Sequence, residues 1–329
     1  MENLKPLFDS FSSLKAGVIG DVMLDTYMWG RVERISPEAP VPIVSLKKQE
    51  FRIGGAGNVA LNVKSLGAEV FVLSVIGNDD HAAILQQLLY ENNIGTDYLL
   101  KSDDRITTNK IRVISRNQQM MRLDAEITSD LDAMDEDSLL DQVASFIEKE
   151  DPDVLIFQDY NKGVLTEKVI DKVITLCRQS GVITAVDPKR KNFFSYHEVD
   201  IFKPNLKEVK EGLNLLFEEL SPQLLETIHL ELQSLLHHQV SFITLSDIGV
   251  FYQQNNRAAL IPSHLRNIAD VSGAGDTVIA VAALVYAATK NVHLMAEVAN
   301  IAGGLVCEEV GTVAIDKEKL QHECELLLS

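Results

Sequence analysis

The stretch Asp270–Thr277, DVSGAGDT, carries the clearest chemistry in the chain. Gly273 and Gly275 let the backbone turn tightly and present amides without side-chain obstruction. The apolar run Val278–Ala288 follows at once and reads as a buried helix. The amides before it are therefore the free donors of a helix start, at the positive end of its dipole, and they suit an anion. Asp276 falls in the first turn, where a carboxylate is favoured. Phosphoryl transfer to an alcohol needs this pairing: the acid takes the hydroxyl proton while the amides stabilise charge on the transferred group. The same residues also suit a plain glycine turn with Asp276 as a capping acid.

Three further stretches carry candidate chemistry. In Lys203–Glu208, KPNLKE, Asn205 can cap a helix beginning at Leu206, with Glu208 at the third position as in a capping box. The functional reading is that this pair faces phosphates through Mg²⁺ and ordered water, since Mg²⁺ takes oxygen ligands and keeps several waters. In Gly54–Asn62, GGAGNVALN, residues Gly55, Gly57 and Ala60 fit the G-x-G-x-x-A variant of a dinucleotide fingerprint. No buried strand precedes them and no βαβ unit surrounds them, so a glycine turn bringing backbone close to a sugar, with Asn58 donating and accepting, is the better reading. In Gly20–Asp25, GDVMLD, Asp21 and Asp25 follow the first strand, where open α/β sheets bind ligands, and carboxylates accept several hydroxyl hydrogen bonds. A turn with two exposed acids is the plain alternative. The absence of G-x-x-x-x-G-K-[ST] argues against a P-loop enzyme.

These residues need a frame. Short apolar runs at Gly17–Gly20, Val70–Ile76, Val154–Phe157, Val182–Val186 and Phe242–Leu245 read as strands. Amphipathic stretches near Val59–Leu66, His81–Tyr90, Leu139–Glu148, Glu167–Arg178 and Gln223–Leu236 lie among them. The alternation predicts an α/β fold: a central, mostly parallel sheet with helices on both faces. Pro40–Lys48 and Lys110–Ser115 have strand character but no adjacent helix, and the second alternates with period two. They predict a half-exposed antiparallel sheet, a small lid beside the main sheet, or else edge strands of that sheet. The acidic run Ser129–Asp141 reads as a solvated loop leading into a helix.

Composition narrows the class. The 329 residues are 46% hydrophobic and 24% charged, as in a globular protein with a sizeable core. The net charge of −18 argues against a nucleic-acid surface, which needs clustered Lys and Arg. Cys177, Cys307 and Cys324 are far apart, which fits a reducing cytoplasm rather than a disulfide framework or zinc site. The adjacent His237 and His238 point in different directions on a helix and read as surface residues. The N-terminus lacks the pattern of a signal peptide, and Val278–Ala288 is too short to span a bilayer, so no membrane association is expected.

Taken together and in order, these motifs resemble the ribokinase, or PfkB, family of sugar kinases over essentially the whole chain. The segments GDVMLDTYMWGRVERISPEAPVPIV, GGAGNVALN, SRNQQMMRLD and QDYNKGVLT are similar to the D-glycero-β-D-manno-heptose 7-phosphate kinases of that family. The short spacing between Gly55 and Asn58 is also like that branch.

The resemblance implies a single ribokinase-like domain over residues 1–329, with lid strands from about 26–52 and 105–124, dimeric through that lid. Met28 and Trp29 would be among the apolar lid residues that a partner covers. It implies Asp276 as base and Gly273, Ala274 and Gly275 as the anion hole. Asn205 and Glu208 would belong to the ATP–Mg²⁺ site, with Glu208 acting on the metal through water. Adenine would sit between the Ser246–Gly249 segment and the helix of Asn300 and Gly303, with a monovalent cation near the residues before Gly273. Asp21, Asp25, Gly54, Gly55 and Asn58 would hold the sugar. Arg112, Arg116, Lys162 and Lys189 are the candidate cations for a phosphate already on it.

Departures from the family pattern are small. Ser272 stands where threonine is common, Gly57 replaces an expected alanine and suggests a looser turn, and Arg190 follows Lys189 where glycine is frequent and could alter the phosphate pocket. The expected reaction is phosphorylation of the C1 hydroxyl of heptose 7-phosphate by ATP, toward ADP-heptose and lipopolysaccharide. No two histidines stand three apart as in the H-x-G-H of a fused nucleotidyltransferase, so only the kinase step is expected. A family kinase for another sugar, or a non-catalytic sugar- or nucleotide-binding regulator, are the competing readings.

Overall fold

The computed structural model describes residues 4–116, 118–217 and 219–328. From the N-terminus the chain forms α1 (Lys5–Ser10), β1 (Lys15–Gly20), the long hairpin β2 (Val22–Ile35) and β3 (Pro42–Gly55), and α2 (Ala56–Ser65). It continues through β4 (Glu69–Gly77), α3 (Asp80–Glu91) and β5 (Leu99–Ser102) to a second hairpin, β6 (Asn109–Ser115) and β7 (Gln118–Ala125). Next come α4 (Ala133–Glu150), β8 (Val154–Gln158), α5 (Glu167–Ser180), β9 (Ile183–Asp187), β10 (Ile201–Phe202) and α6 (Leu206–Gly212). The last part holds α7 (Pro222–Leu236), β11 (Val240–Thr244), β12 (Gly249–Gln254), β13 (Arg257–Pro262), α8 (Ala274–Thr289), α9 (Val292–Val306) and α10 (Lys317–Leu327).

Nine strands form one sheet in the order β13-β12-β11-β10-β9-β8-β1-β4-β5. From β5 to β11 neighbours pair in parallel, and β12 and β13 add an antiparallel edge. The inner strands β1, β4, β8 and β9 are buried along almost their whole length, because helices cover both faces and leave no reason for alternation. One apolar layer packs α1, α2, α3, α8, α9 and α10 against the sheet; the other packs α4, α5, α6 and α7. Helix α8 is buried from Asp276 through Tyr286, as a helix apolar on all sides must be.

The remaining four strands form a separate smaller sheet, ordered β3-β2-β6-β7. Both hairpins are antiparallel, but the central pair β2–β6 runs parallel, with Tyr27 opposite Arg112. That corrects the expectation of a wholly antiparallel sheet. Two hairpins from distant parts of the chain are laid side by side, and local alternation cannot report the direction in which they meet.

Three smaller expectations also change. His237 is exposed, but His238 is buried with its Nε2 on the Ser241 hydroxyl at 2.6 Å, and His229 Nδ1 lies 2.8 Å from the same oxygen. Burial pushes the His238 imidazole down to about 3. The acidic run becomes helix by Ala133, where the Asp132 side chain accepts from the Asp135 amide. Met28 and Trp29 are half-buried rather than exposed, and Trp29 stacks on Tyr27 with centroids 6.3 Å apart.

Candidate active site

The parallel register lines up four strand ends. Gly20 is opposite Gln158, Gln158 is opposite Asp187, and Val186 is opposite Phe202, which precedes Lys203. The polar side chains that end these strands or stand just past them are Asp21, Gln158, Asp187 and Lys203, all nearly fully buried. Helix α8 begins over this row. Its N-cap, Gly273, has φ 81°, and a Cβ there would lie 2.9 Å from Asn58 Nδ2. A side chain would be strained and would press on the amide.

Asp276 projects from the first turn of α8 into the row. Asn58 Nδ2 donates to its Oδ2 at 2.8 Å; the Tyr160 hydroxyl and Gln158 Nε2 donate to its Oδ1 at 2.7 and 3.1 Å. Burial, with the nearby Asp187 charge, raises its pKa to about 6 against the pull of these donors and of Lys203. Asn58 Oδ1 and Gln158 Oε1 are buried acceptors without a hydrogen-bond partner. Orphaned acceptors beside a buried acid suit the hydroxyls of a polyol ligand. A Cβ on Gly275 would sit 3.6 Å from Asp187 Oδ2 and 3.9 Å from Lys203 Nζ. Lys203 and Asp187 pair at 3.1 Å, so a buried cation stands beside the glycine turn.

The other expected residues are distributed as follows. Asn205 and Glu208 form the capping box in full: Glu208 N donates to Asn205 Oδ1 at 2.9 Å and Asn205 N to Glu208 Oε2 at 2.8 Å. The second Glu208 oxygen pairs with Lys189, which also lies 3.9 Å from Asp187. Burial opposes the charge on Lys189, but these acids raise its pKa overall, beyond its usual value. Lys189 is thus paired with acids, as Arg112 and Lys162 also are. Asp25 keeps one oxygen on Arg112, while its Oδ2 would stand 2.7 Å from a Cβ on Gly54, so that glycine leaves the acid open on one side. Lys162 pairs with Glu126 at 2.7 Å, and Glu126 also meets Lys110 at 3.4 Å. Arg116 is exposed at the β6–β7 turn, four residues and about 13 Å along the strand from Arg112, and is not gathered with the others.

Asp21 departs most from expectation. Its Oδ2 accepts from the amides of Tyr160 and Lys162 at 2.8 and 3.0 Å, and its Oδ1 from Val164 at 3.2 Å. With these three bonds it fixes the loop after β8. Gly57 is not a loose turn: its missing Cβ would be 2.4 Å from Ile53 Cγ2, so its smallness seats α2 on β3. Ser272 does keep the hydroxyl, donating to Asp270 Oδ1 at 2.8 Å, while Gly311 N donates to Asp270 Oδ2 at 2.9 Å. Arg190 is exposed.

Next to the acid lies a cleft of about 1070 Å³. Asn205, Ser246, Gly249, Ala274, Gly275, Asn300 and Gly303 all line it; Glu208, also expected on the nucleotide side, is not among the lining residues. Asn300 Nδ2 donates to Pro262 O at 2.9 Å, tying α9 to β13. Apolar Leu245, Val250 and Val278 also line it, beside charged Lys207, Lys210 and Arg266, so its walls offer apolar surface for a flat heterocycle and cations for phosphates. Among the described residues no cluster of three or more His, Cys, Asp or Glu could hold a metal alone.

The sequence pattern of the pfkB family carbohydrate kinases matches residues 14–319. The chain is 37% identical over 321 residues to the bifunctional protein HldE of Citrifermentans bemidjiense, covering 97% of this chain and 65% of that one. It is 36% identical over 326 residues to the HldE of Syntrophotalea carbinolica, covering 98% and 65%. It thus spans just under two thirds of the length of these relatives. Among solved structures, Escherichia coli phosphofructokinase-2 in complex with potassium superposes with a TM-score of 0.80 at 18% identity, covering 96% of this chain and 99% of that one. Arabidopsis thaliana ribokinase complexed with ribose and ATP gives 0.71 at 15%, covering 94% and 98%. The fold is therefore ribokinase-like, and a family pattern spanning nearly the whole chain, joined to that fold and those relatives, makes this protein a member of the pfkB family of carbohydrate kinases.

Proposed function

We propose that this kinase transfers the γ-phosphate of ATP to the C1 hydroxyl of D-glycero-β-D-manno-heptose 7-phosphate, in the cytoplasm, as a single domain that dimerises through its smaller sheet. The observation that carries the chemistry is Asp276, a buried acid with a raised pKa, flanked by the glycine turn that opens on the 1070 Å³ cleft. Its carboxylate takes the hydroxyl proton as the oxygen attacks phosphorus. The amides of Gly273, Ala274 and Gly275 and the ammonium of Lys203 stabilise charge on the transferred group. The orphaned Asn58 Oδ1 and Gln158 Oε1, with Asp25 beside Gly54, accept from sugar hydroxyls. Glu208 would order water around a Mg²⁺ ion, which would supply neutralisation of phosphate charge. Arg112 and Lys162 would hold the sugar's own phosphate, giving up their pairing with Asp25 and Glu126 to do so. The relatives named HldE, and the resemblance of the Glu33–Pro42 segment to the heptose 7-phosphate kinases, support the heptose assignment.

The test is ADP release over heptose 7-phosphate, unphosphorylated heptose, fructose 6-phosphate and ribose. The expected outcome is the highest kcat/KM with heptose 7-phosphate, and a loss of roughly 10²–10⁴ in kcat for Asp276→Asn with ATP still bound. Preference for another sugar moves the enzyme to another substrate within the family. Equal kcat/KM with and without the 7-phosphate sinks the phosphosugar reading. Silence with every sugar leaves a binding regulator.

A further inference from the structure

Tyr160 belongs to none of the roles above, yet its hydroxyl makes the shortest hydrogen bond to Asp276, 2.7 Å to Oδ1. An ionised carboxylate offers about four lone-pair positions. Tyr160 and Gln158 take both on Oδ1, and Asn58 takes one on Oδ2. The position left open is on Oδ2, the oxygen on the side of Asn58, whose Nδ2 lies against the glycine turn. The phenol is itself held from two sides. Asp21 Oδ2 accepts from the Tyr160 amide, and the Lys189 ammonium lies 5.7 Å from the ring centroid. The buried Asp21 carboxylate spends all three of its hydrogen bonds on the loop that carries this side chain.

We propose that Tyr160 is a positioning residue for the base: its phenol occupies Oδ1, keeps the carboxylate ionised, and leaves Oδ2 alone to face the acceptor hydroxyl beside the anion hole. The inference rests on Asp276 being the base. The charged groups that face Asp276 are Asp187 at the end of β9, which disfavours its charge, and Lys203 after β10, which favours it. Both stay in place when the phenol is removed, so a change in the titration of Asp276 reports the hydrogen bond.

The experiment is Tyr160→Phe, which keeps the ring, assayed by single-turnover phosphoryl transfer from pH 5 to 9 so that product release cannot mask the chemical step. A hydrogen bond to a charged acceptor, once lost, should move the acid limb up by about one pH unit. At pH 6 the variant should then stand roughly tenfold below its own plateau, against about twofold for wild type, while KM for ATP and sugar and the melting temperature hold. Coincident acid limbs for wild type and Tyr160→Phe overturn the proposal while Asp276→Asn remains inactive and the base assignment stands. An active Asp276→Asn overturns both, because no base is then left to position. A fall in melting temperature with an unmoved limb marks Tyr160 as structural only.

Discussion

Asp276 must be ionised to accept a proton, and its burial makes that condition depend on pH. With a folded pKa of about 6 against an ordinary 3.8, the folded state binds the proton more strongly than the unfolded chain between these values. This group therefore adds stability as pH falls through 6 while the base is switched off. The expected outcome is a kcat that drops tenfold per unit below about pH 6, without loss of fold; circular dichroism alongside the rate profile checks it. Glu208 is built into two contacts at once, the cap of α6 and the pair with Lys189. Glu208→Gln should raise the Mg²⁺ concentration for half-maximal rate roughly tenfold and cost about 1 kcal/mol of cap stability. An unchanged Mg²⁺ titration with a lower melting point would leave Glu208 as a cap alone. At this scale the sequence made Asp276, Asn58, Asn205 and Glu208 legible because each sits in a patterned motif. Gln158 and Lys203 open the segments QDYNKGVLT and KPNLKE, but neither pattern marks them for the site, and Asp187 lies in none of the motif segments. Their signal is weaker and positional: each is a polar side chain that ends a buried strand or stands just past one, and parallel sheets gather those ends. Asp21 sends the same signal yet turned inward, since nothing local announces the three amides that come from the loop after β8.

The junction of β3 and α2 aims Asn58 at Asp276, and it depends on Gly55. That residue has φ 59° and ψ −136°, and a Cβ there would stand 2.3 Å from the carbonyl oxygen of Asp21. Gly55→Ala should cost about 1–3 kcal/mol for the backbone conformation alone. It should also lower kcat, because Asn58 lies in the first turn of the helix that would shift. Thermal melts and kcat on the same preparation check both effects; an unchanged kcat would show that α2 does not aim the site. The buried strands and the amphipathic helices were readable from apolar runs and period, as with Val154–Phe157 inside β8 and Glu167–Arg178 inside α5. The edge hairpin β12–β13 escaped because β12 is buried on both faces while β13 is mostly exposed, so neither strand alternates. The parallel pairing of β2 with β6 escaped for a different reason: it is a tertiary choice between hairpins more than fifty residues apart.

The whole molecule carries a charge of −18, yet the smaller sheet presents one apolar face. Its register sorts the residues. Asp25, Tyr27, Arg52 and Arg112 share one side, and Arg52 Nη1 on that side donates to Val310 O at 3.2 Å, so this side turns toward the loop after α9. Alternation puts Met28, Phe51, Ile111, Val113, Met121 and Leu123 on the other side. Met121 and Leu123 on the edge strand β7 are about half exposed, at 56% and 50%. An unpaired edge strand with apolar side chains on one face is the surface that the proposed dimer would cover. Association there has to overcome repulsion between two chains of −18 each, so screening should favour it: the dimer should tighten as salt rises from low ionic strength. Met121→Glu with Leu123→Glu should give monomers, because the paired chains would bring four added carboxylates into an apolar contact. Light scattering after size exclusion, at two salt concentrations and over a tenfold range of protein, measures this. If the dimer dissociates as salt rises, or survives the double substitution, the smaller sheet is not the interface. If the double variant is monomeric but keeps its KM for sugar, the dimer forms there without helping to hold the sheet over the site.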